Sequence, residues 1–99
     1  MYALAIVRYR YPLEEISEAH REAHREYLRG LKKQGLLIAS GPFQPHAGGA
    51  FLLRVPGTNP NEALDRIRDD DPFTKHKLAQ YELLPWNVKT GIEDLDKIK

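Results

Sequence analysis

The sequence lacks three features that would each define a class of protein. It has no cysteine among its 99 residues, so it forms no disulfide scaffold and carries out no thiol chemistry, which fits a reducing compartment. No apolar run approaches the roughly 20 residues of a membrane span, and the N-terminus has no signal-peptide pattern. We therefore expect a soluble, cytoplasmic protein.

An excess of charge of either sign is also missing. The 15 Lys and Arg residues are nearly balanced by 14 Asp and Glu residues, which gives a formal net charge of +1. Because a general nucleic-acid-binding protein needs a clustered basic excess, we expect neither nucleic acid nor a membrane as a partner. The length is that of one small domain. We assign residues 1–99 to it, with a core over about 2–88 and a charged tail over 89–99.

Hydrophobic alternation and helical periodicity predict the element order β-α-β-β-α-β. The predicted strands cover 2–9, 36–39, 50–55 and 78–88, and the predicted helices cover 18–34 and 61–69, with a helical turn over 72–77. This order is the split βαβ arrangement of ferredoxin-like domains. The right-handed crossover rule then places two helices on one face of a four-stranded antiparallel sheet, so the expected fold class is α+β.

The first and third predicted strands are apolar on both faces, although two helices can cover only one face. A bare apolar sheet face is unusual in a soluble monomer. We therefore expect a second copy of the chain to cover it, sheet against sheet and with two-fold symmetry. The predicted partner is thus a second copy of the chain, which forms a homodimer through the sheet face.

The first predicted helix carries two histidines within its apolar stripe. The stripe recurs at spacings of three and four residues, with the opposite face expected to be solvated. Its members are Ile16, Ala19, His20, Ala23, His24, Tyr27, Leu28 and Leu31. A histidine in such a stripe is more often structural than catalytic. It becomes an acid–base candidate when a carboxylate partner is present.

Asp71 is the candidate carboxylate. It precedes Pro72, which predicts extended geometry at the start of a helical turn and a side chain of fixed direction. Helix capping is the simpler role for this residue. The two roles are compatible, because a carboxylate has two oxygens with several lone pairs.

His20 and His24 are spaced so that both could reach one metal ion. Zinc sites use three or four protein ligands, and His46, His76 or an aspartate would have to complete this one, which nothing in their spacing demands. Of the hypotheses for the function of this chain, a metal-dependent enzyme is therefore the weakest. We predict no metal and no cofactor.

The segment Ser40-Gly41-Pro42 is predicted to end the second strand. Glycine and proline alone explain a strand end, but a hydroxyl and a backbone N–H at a pocket mouth could also bind a carboxylate or carbonyl oxygen. The following loop, predicted over 41–49, contains Phe43 and His46 and is either a plain turn or a lid. Tyr81 and Trp86 are expected to be core or dimer-interface aromatics.

In their order and spacing, these residues resemble the YCII-related (YciI-like) family over roughly residues 2–88. The resemblance rests on His24-x-x-Tyr27-Leu28, Leu31, Gly35, Ser40-Gly41-Pro42 and Asp71-Pro72-Phe73 ahead of a terminal strand. It implies a ferredoxin-like dimeric α/β-barrel fold. It also implies a His–Asp pair in an active site, which maps onto His24 and Asp71. The chain departs from the family pattern in His20 and in the tail past Val88.

Relatives within this fold include muconolactone isomerases and a dehydrochlorinase of chlorinated hydroxyquinols. The resemblance therefore implies a small-molecule enzyme of lyase, isomerase or dehydrochlorinase-like type, with an unidentified small-molecule substrate. His24 and Asp71 would be catalytic, and Ser40, Gly41, Pro42 and Phe73 would bind substrate. The alternative is a non-catalytic module of the same fold that binds a small molecule or another protein through the same pocket.

Overall fold

A computed structural model describes residues 1–98 of the chain. Its strands and helices follow the predicted order, with a short helix added in the tail. They are β1 (Tyr2–Tyr9), a 3₁₀ turn (Leu13–Glu15), α1 (Glu18–Lys33), β2 (Leu37–Pro42), β3 (Gly48–Arg54), α2 (Pro60–Asp70), α3 (Pro72–Lys75), β4 (Ala79–Trp86) and α4 (Ile92–Leu95). None of the helices within residues 1–98 has the length and apolar character needed to cross a lipid bilayer.

The four strands form one antiparallel sheet in the order β2-β3-β1-β4. Alternate residues of the central strand, Ala3, Ala5 and Val7, are buried against the helices. A single core cluster contains these positions together with Leu31 of α1 and Leu64 of α2. Both long helices therefore cover the same face, and the predicted ferredoxin-like α+β fold is confirmed.

The ends of α1 follow from local chemistry. The Ser17 hydroxyl accepts a hydrogen bond from the His20 backbone N–H at 3.1 Å, which satisfies one of the free N–H groups of the first turn. Gly35 follows the helix with a φ of 81°, a left-handed conformation that glycine adopts without steric cost.

The predicted buried stripe of α1 is wrong at two positions. Ala19 and Ala23 are exposed, whereas Arg21 is only partly exposed. At 3.6 residues per turn, Arg21 lies about 60° from His24 around the helix axis and Ala19 about 140° away. The apolar character of alanine therefore misplaced one edge of the stripe, because helix geometry turns Arg21 toward the sheet instead.

The loop between β2 and β3 is shorter than predicted. Gly41 pairs with Ala50, and Pro42 pairs with Gly49, so β2 and β3 both extend into the segment that was expected to be a loop over 41–49. Only residues 43–47 connect the two strands. Gly48 and Gly49 are buried sheet residues, and they do not supply the flexible lid that their composition suggested.

The second face of the sheet carries an apolar row that no helix covers. Leu84, Leu4 and Leu52 lie side by side on β4, β1 and β3. Leu84 and the nearby Trp86 are 40% and 44% exposed. The tail is held at one end of this face, since the Tyr2 hydroxyl donates to Asp96 Oδ1 at 2.7 Å.

The close approach of β2 and β3 predicts opposite effects for two glycine-to-alanine changes. A β-carbon at Gly49 would lie 2.5 Å from the carbonyl oxygen of Gly41, whereas one at Gly30 in α1 meets nothing within 4 Å. We expect Gly49→Ala to lower the free energy of unfolding by about 1–3 kcal/mol through overpacking. Gly30→Ala should raise it by about 0.5–1 kcal/mol through helix propensity. Urea denaturation followed by circular dichroism measures both, and shifts of the same sign would contradict this packing.

Candidate active site

His24 and Asp71, 47 residues apart in the sequence, meet beneath α1. His24 Nδ1 lies 2.8 Å from Asp71 Oδ1, in a buried hydrogen bond. The His24 residue is 9% exposed and Asp71 is 0% exposed. A carboxylate only accepts hydrogen bonds, so Nδ1 carries the proton that it donates. When the imidazole is neutral, its lone pair is therefore at Nε2.

Asp71 is held by two further donors. It sits between α2 and α3, in the extended conformation expected of a residue before proline. Its Oδ1 also accepts from the Phe73 backbone N–H at 2.9 Å, which is the predicted N-cap of α3, and its Oδ2 accepts from the Tyr81 hydroxyl. Capping and binding of His24 thus occur together, as the two oxygens of a carboxylate allow.

The Tyr81 hydroxyl is a fixed donor in this arrangement. Burial raises the pKa of Tyr81 far above its ordinary value, and the negative charge of Asp71 raises it further. The residue therefore remains a phenol at neutral pH and can only donate toward the carboxylate. Its position on β4, opposite Val7 of β1, places the hydroxyl on the helix-covered face of the sheet.

Aromatic packing sets the plane of the His24 ring. The ring stacks on Phe73, with centroids 4.1 Å apart and planes within 7°. Phe51 of β3 lies on the same side of the core, with its centroid 6.0 Å from that of His24. Because Asp71 and Phe73 fix both the edge and the face of the imidazole, the direction of Nε2 is determined before any ligand binds.

A cavity of about 380 Å³ lies between α1 and the sheet, with His24 in its wall. This volume is within the range of small-molecule sites. The lining combines aromatic and aliphatic side chains with a few polar ones. It consists of Val7, Tyr9, Leu13, Arg21, His24, Arg25, Leu28, Ser40, Gly41, Pro42, His46, Gly49, Phe51 and Phe73.

The structure brings all six predicted site residues to one place. Ser40, Gly41 and Pro42 form a wall of the cavity from β2, and Phe73 lines it behind His24. The segment belongs to the paired strand rather than to the loop after it. Ser40 pairs with Phe51 across the sheet, so its side chain is on the helix-covered face. Its binding role stays a prediction.

Three residues near this site were not identified from the sequence as site residues. Tyr81 was expected in the core or a dimer interface, and it packs against the core. Arg21 and Arg25 belong to the face of α1 that was expected to be solvated, and Arg25 is exposed whereas Arg21 is only partly exposed. The alternation of β4, in which Ala79, Tyr81 and Leu83 share a face, was a signal that could have placed Tyr81 under the helices. No comparable signal marked the arginines, because their charge alone predicts exposure.

The second histidine of α1 lies outside the cavity. The His20 ring packs against His76, with ring centroids 4.3 Å apart. Within residues 1–98, no group of three or more His, Cys, Asp or Glu side chains is arranged to hold a metal ion. The described part of the chain therefore offers no metal site built on His20 and His24.

Comparison with known proteins agrees with the fold. The family model of the YCII-related domain matches residues 1–87. The chain belongs to that family. The match ends where β4 ends, so the α4 tail is an addition to the YCII domain. No curated protein matches the sequence.

Among solved structures, the YCII protein is similar to 5-chloro-2-hydroxyhydroquinone dehydrochlorinase from Burkholderia phenoliruptrix AC1100, solved in complex with 2,5-dihydroxybenzoquinone. The TM-score is 0.72 at 19% sequence identity, and the alignment covers 90% of this chain and 96% of that one. A likeness at this identity establishes the shared fold.

The environment of Asp71 predicts unequal effects for two tyrosine-to-phenylalanine changes. Tyr81→Phe removes a donor from a fully buried carboxylate, whereas Tyr27→Phe removes a 2.7 Å hydrogen bond to the neutral carbonyl of Ile67. Hydrogen bonds to charged groups contribute more, so we expect losses of about 1.5–3 kcal/mol for Tyr81→Phe and about 0.5–1.5 kcal/mol for Tyr27→Phe. Urea denaturation at pH 7 gives both values. Equal losses would mean that Asp71 does not depend on this hydroxyl.

Proposed function

We propose that this YCII protein is a small-molecule enzyme of lyase or isomerase type in which His24 transfers a proton. The observation that carries the proposal is the His24–Asp71 hydrogen bond at the wall of a cavity large enough for one small molecule. A histidine–carboxylate pair buried in a core needs no cavity beside it. Here one ring nitrogen is bound by Asp71 and the ring itself lines the cavity.

In this proposal, His24 acts first as a base. Its Nε2 has no hydrogen-bond partner among residues 1–98, whereas Nδ1 donates to Asp71. When Nε2 takes a proton from the substrate, the imidazolium that forms is stabilised by the adjacent carboxylate, as in other histidine–carboxylate pairs. Asp71 thus positions the ring and offsets its charge, and it does not itself take up the proton.

The same proton transfer serves two reaction classes. In a lyase reaction of the dehydrochlorinase type, Nε2 accepts the proton, the electron pair of that bond forms a new double bond, and chloride leaves. In an isomerase reaction, Nε2 returns the proton to another carbon of the same substrate. Both begin with a group that accepts a proton, and the isomerase reaction also needs that group to return it, which suits a histidine because the ordinary imidazole pKa is near neutrality.

The other walls of the cavity suit a small ring bearing oxygen atoms. Phe51 and Phe73 provide flat apolar surfaces, and Ser40 offers a hydroxyl beside the backbone of Gly41. These groups would bind the ring and its oxygens, respectively. The name of the structural neighbour supports a chlorinated hydroxyquinol as the first compound to assay.

The proposal also includes a cytoplasmic location and no nucleic-acid partner, which rest on sequence composition.

Replacement of His24 tests the proposed chemistry. With 5-chloro-2-hydroxyhydroquinone as the first substrate and chloride release as the readout, we expect His24→Ala to lower turnover by about 100-fold or more, the range for loss of a general base. His20→Ala is the matched control, since His20 lies one turn earlier on α1 and packs against His76 outside the cavity. It should leave turnover unchanged.

Two outcomes would argue against the proposal. Turnover retained in His24→Ala, with the fold verified by its thermal midpoint, would remove His24 from the mechanism. Binding of ring-shaped ligands that His24→Ala abolishes, without turnover of any compound in a panel of chlorinated phenols and lactones, would instead favour the non-catalytic binding module.

We also propose that the protein is a homodimer through the uncovered face of the sheet. The row Leu84, Leu4 and Leu52 crosses the centre of this face, and Ile6 lies beside it. At the far end of the face, Arg8 and Glu82 form a 3.1 Å ion pair. An apolar centre with a charged edge is the composition of an interface. A second copy of the same face is the occupant that the dimeric α/β barrel of YCII proteins implies.

The dimer is tested by a charge placed on this face. Leu84 is 40% exposed, so Leu84→Asp should be tolerated by the monomer fold and should break the association. Tyr11→Asp changes a residue of similar exposure, 50%, in a loop away from the sheet. Light scattering during size-exclusion chromatography should give twice the 11.4 kDa chain mass for the wild type and for Tyr11→Asp. A wild-type protein that elutes as a monomer would contradict the proposed packing.

A further inference from the structure

The ionised side chains that line the cavity are cationic, whereas the nearby carboxylates of Glu18, Glu22 and Asp71 lie outside the lining. Its lining contains Arg21, Arg25, His24 and His46, and none of the lining residues within 1–98 is Asp or Glu. The chain as a whole is nearly neutral, with a net charge of +1, so this segregation belongs to the site and not to the composition. A cavity with cationic groups and low-dielectric aromatic walls concentrates anions.

The two arginines of this site differ in how they are paired. Arg25 Nε donates to Glu22 at 3.0 Å, and its Nη2 donates to Glu18 at 2.6 Å and to Glu22 at 2.8 Å. The hydrogen bonds to Glu22 and then Glu18 raise the pKa of Arg25 above its ordinary value. Its Nε and Nη2 groups are therefore already used on the outer face of α1, and a ligand would gain little from them.

Arg21 is only partly paired. Its Nη2 is 2.9 Å from Glu18 Oε2, but its Nε is shielded from solvent and has no hydrogen-bond partner within residues 1–98. A buried donor without a partner is destabilising. Because Arg21 also lines the cavity, a ligand oxygen there can accept from this N–H once the side chain turns toward it, and an anionic oxygen would be bound more strongly because the bond is charge-assisted.

We propose that Arg21 binds the anionic oxygen of a planar, one-ring ligand whose ring lies against the aromatic wall of the cavity. This inference deepens the proposed function by naming the substrate class, which is an aromatic or enolic acid. It rests on the proposed function in one respect, namely that the bound ligand is also the substrate. Arg21 and His24 are one turn apart on α1, so the bound anion would fix the ring relative to Nε2. Arg21 is thus a specificity-determining residue.

Binding of benzoate and benzamide tests this proposal without any need for turnover. The two probes share a ring and a planar substituent, but only benzoate is anionic at pH 7. In NMR titrations of the full chain, we expect the wild type to bind benzoate about 10-fold more tightly than benzamide. Arg21→Gln should remove that preference by weakening benzoate alone. Arg29→Gln, the matched control on the same helix, should change benzoate affinity by no more than about two-fold, because Arg29 is outside the cavity lining and its charge is offset by Glu22 and Glu26.

A His24→Gln variant separates this proposal from the proposed catalysis. It should keep the benzoate preference even where all turnover is lost, so an inactive protein that still discriminates the two probes would support the Arg21 site alone. Equal binding of the probes by the wild type, no binding of benzoate, or equal losses in Arg21→Gln and Arg29→Gln would each overturn the assignment.

Discussion

The buried carboxylate of Asp71 is the constraint on which the site depends. An uncompensated charge without exposure to solvent would cost several kcal/mol, so its oxygens must be occupied. Here they accept from the imidazole of α1, a backbone N–H of α3 and a phenol of β4. Satisfying one carboxylate therefore ties two helical segments and an edge strand together at the place where the cavity begins.

This arrangement links stability to chemistry. The donors that make a buried Asp71 tolerable also hold it still, and a fixed Asp71 in turn sets which nitrogen of His24 carries the proton. The stacking of His24 on Phe73, at 4.1 Å, removes the remaining rotation of the ring. Nε2 of His24, the proposed proton acceptor, is thus positioned by contacts that also hold the folded chain together, as expected of a preorganised site.

The arginines of α1 give the site a second feature besides the His24–Asp71 pair. Glutamates on the outer face of α1 neutralise Arg25, while Arg21, one turn away, keeps a shielded N–H without a partner. One helix therefore carries the proposed proton-transfer group and the proposed anion-binding group on the same side, with a solvated ion-pair network on the other. The proposed ligand follows from the residues that this network leaves unpaired.

The sequence by itself determined the order of the elements, the face that the helices cover and the candidate pair. Strand alternation, the Ser17 cap, the Gly35 stop and the Asp71-Pro72 step are local signals, and local sterics and hydrogen bonding decide them. The resemblance to YCII-related proteins added the expectation that His24 and Asp71 meet. The glycine-rich segment after Ser40 misled the prediction, because glycine composition indicates a loop wherever cross-strand pairing is not known.

Tertiary structure alone decided what surrounds the pair. The third donor of Asp71 comes from Tyr81, and its position depends on the register of β4 against β1, which no local pattern specifies. The inward turn of Arg21 depends on how α1 is rotated over the sheet, an angle set by the packing of the whole core. Contacts between distant segments are fixed by this global packing, and for that reason the cavity and its charge could be read only from the folded chain.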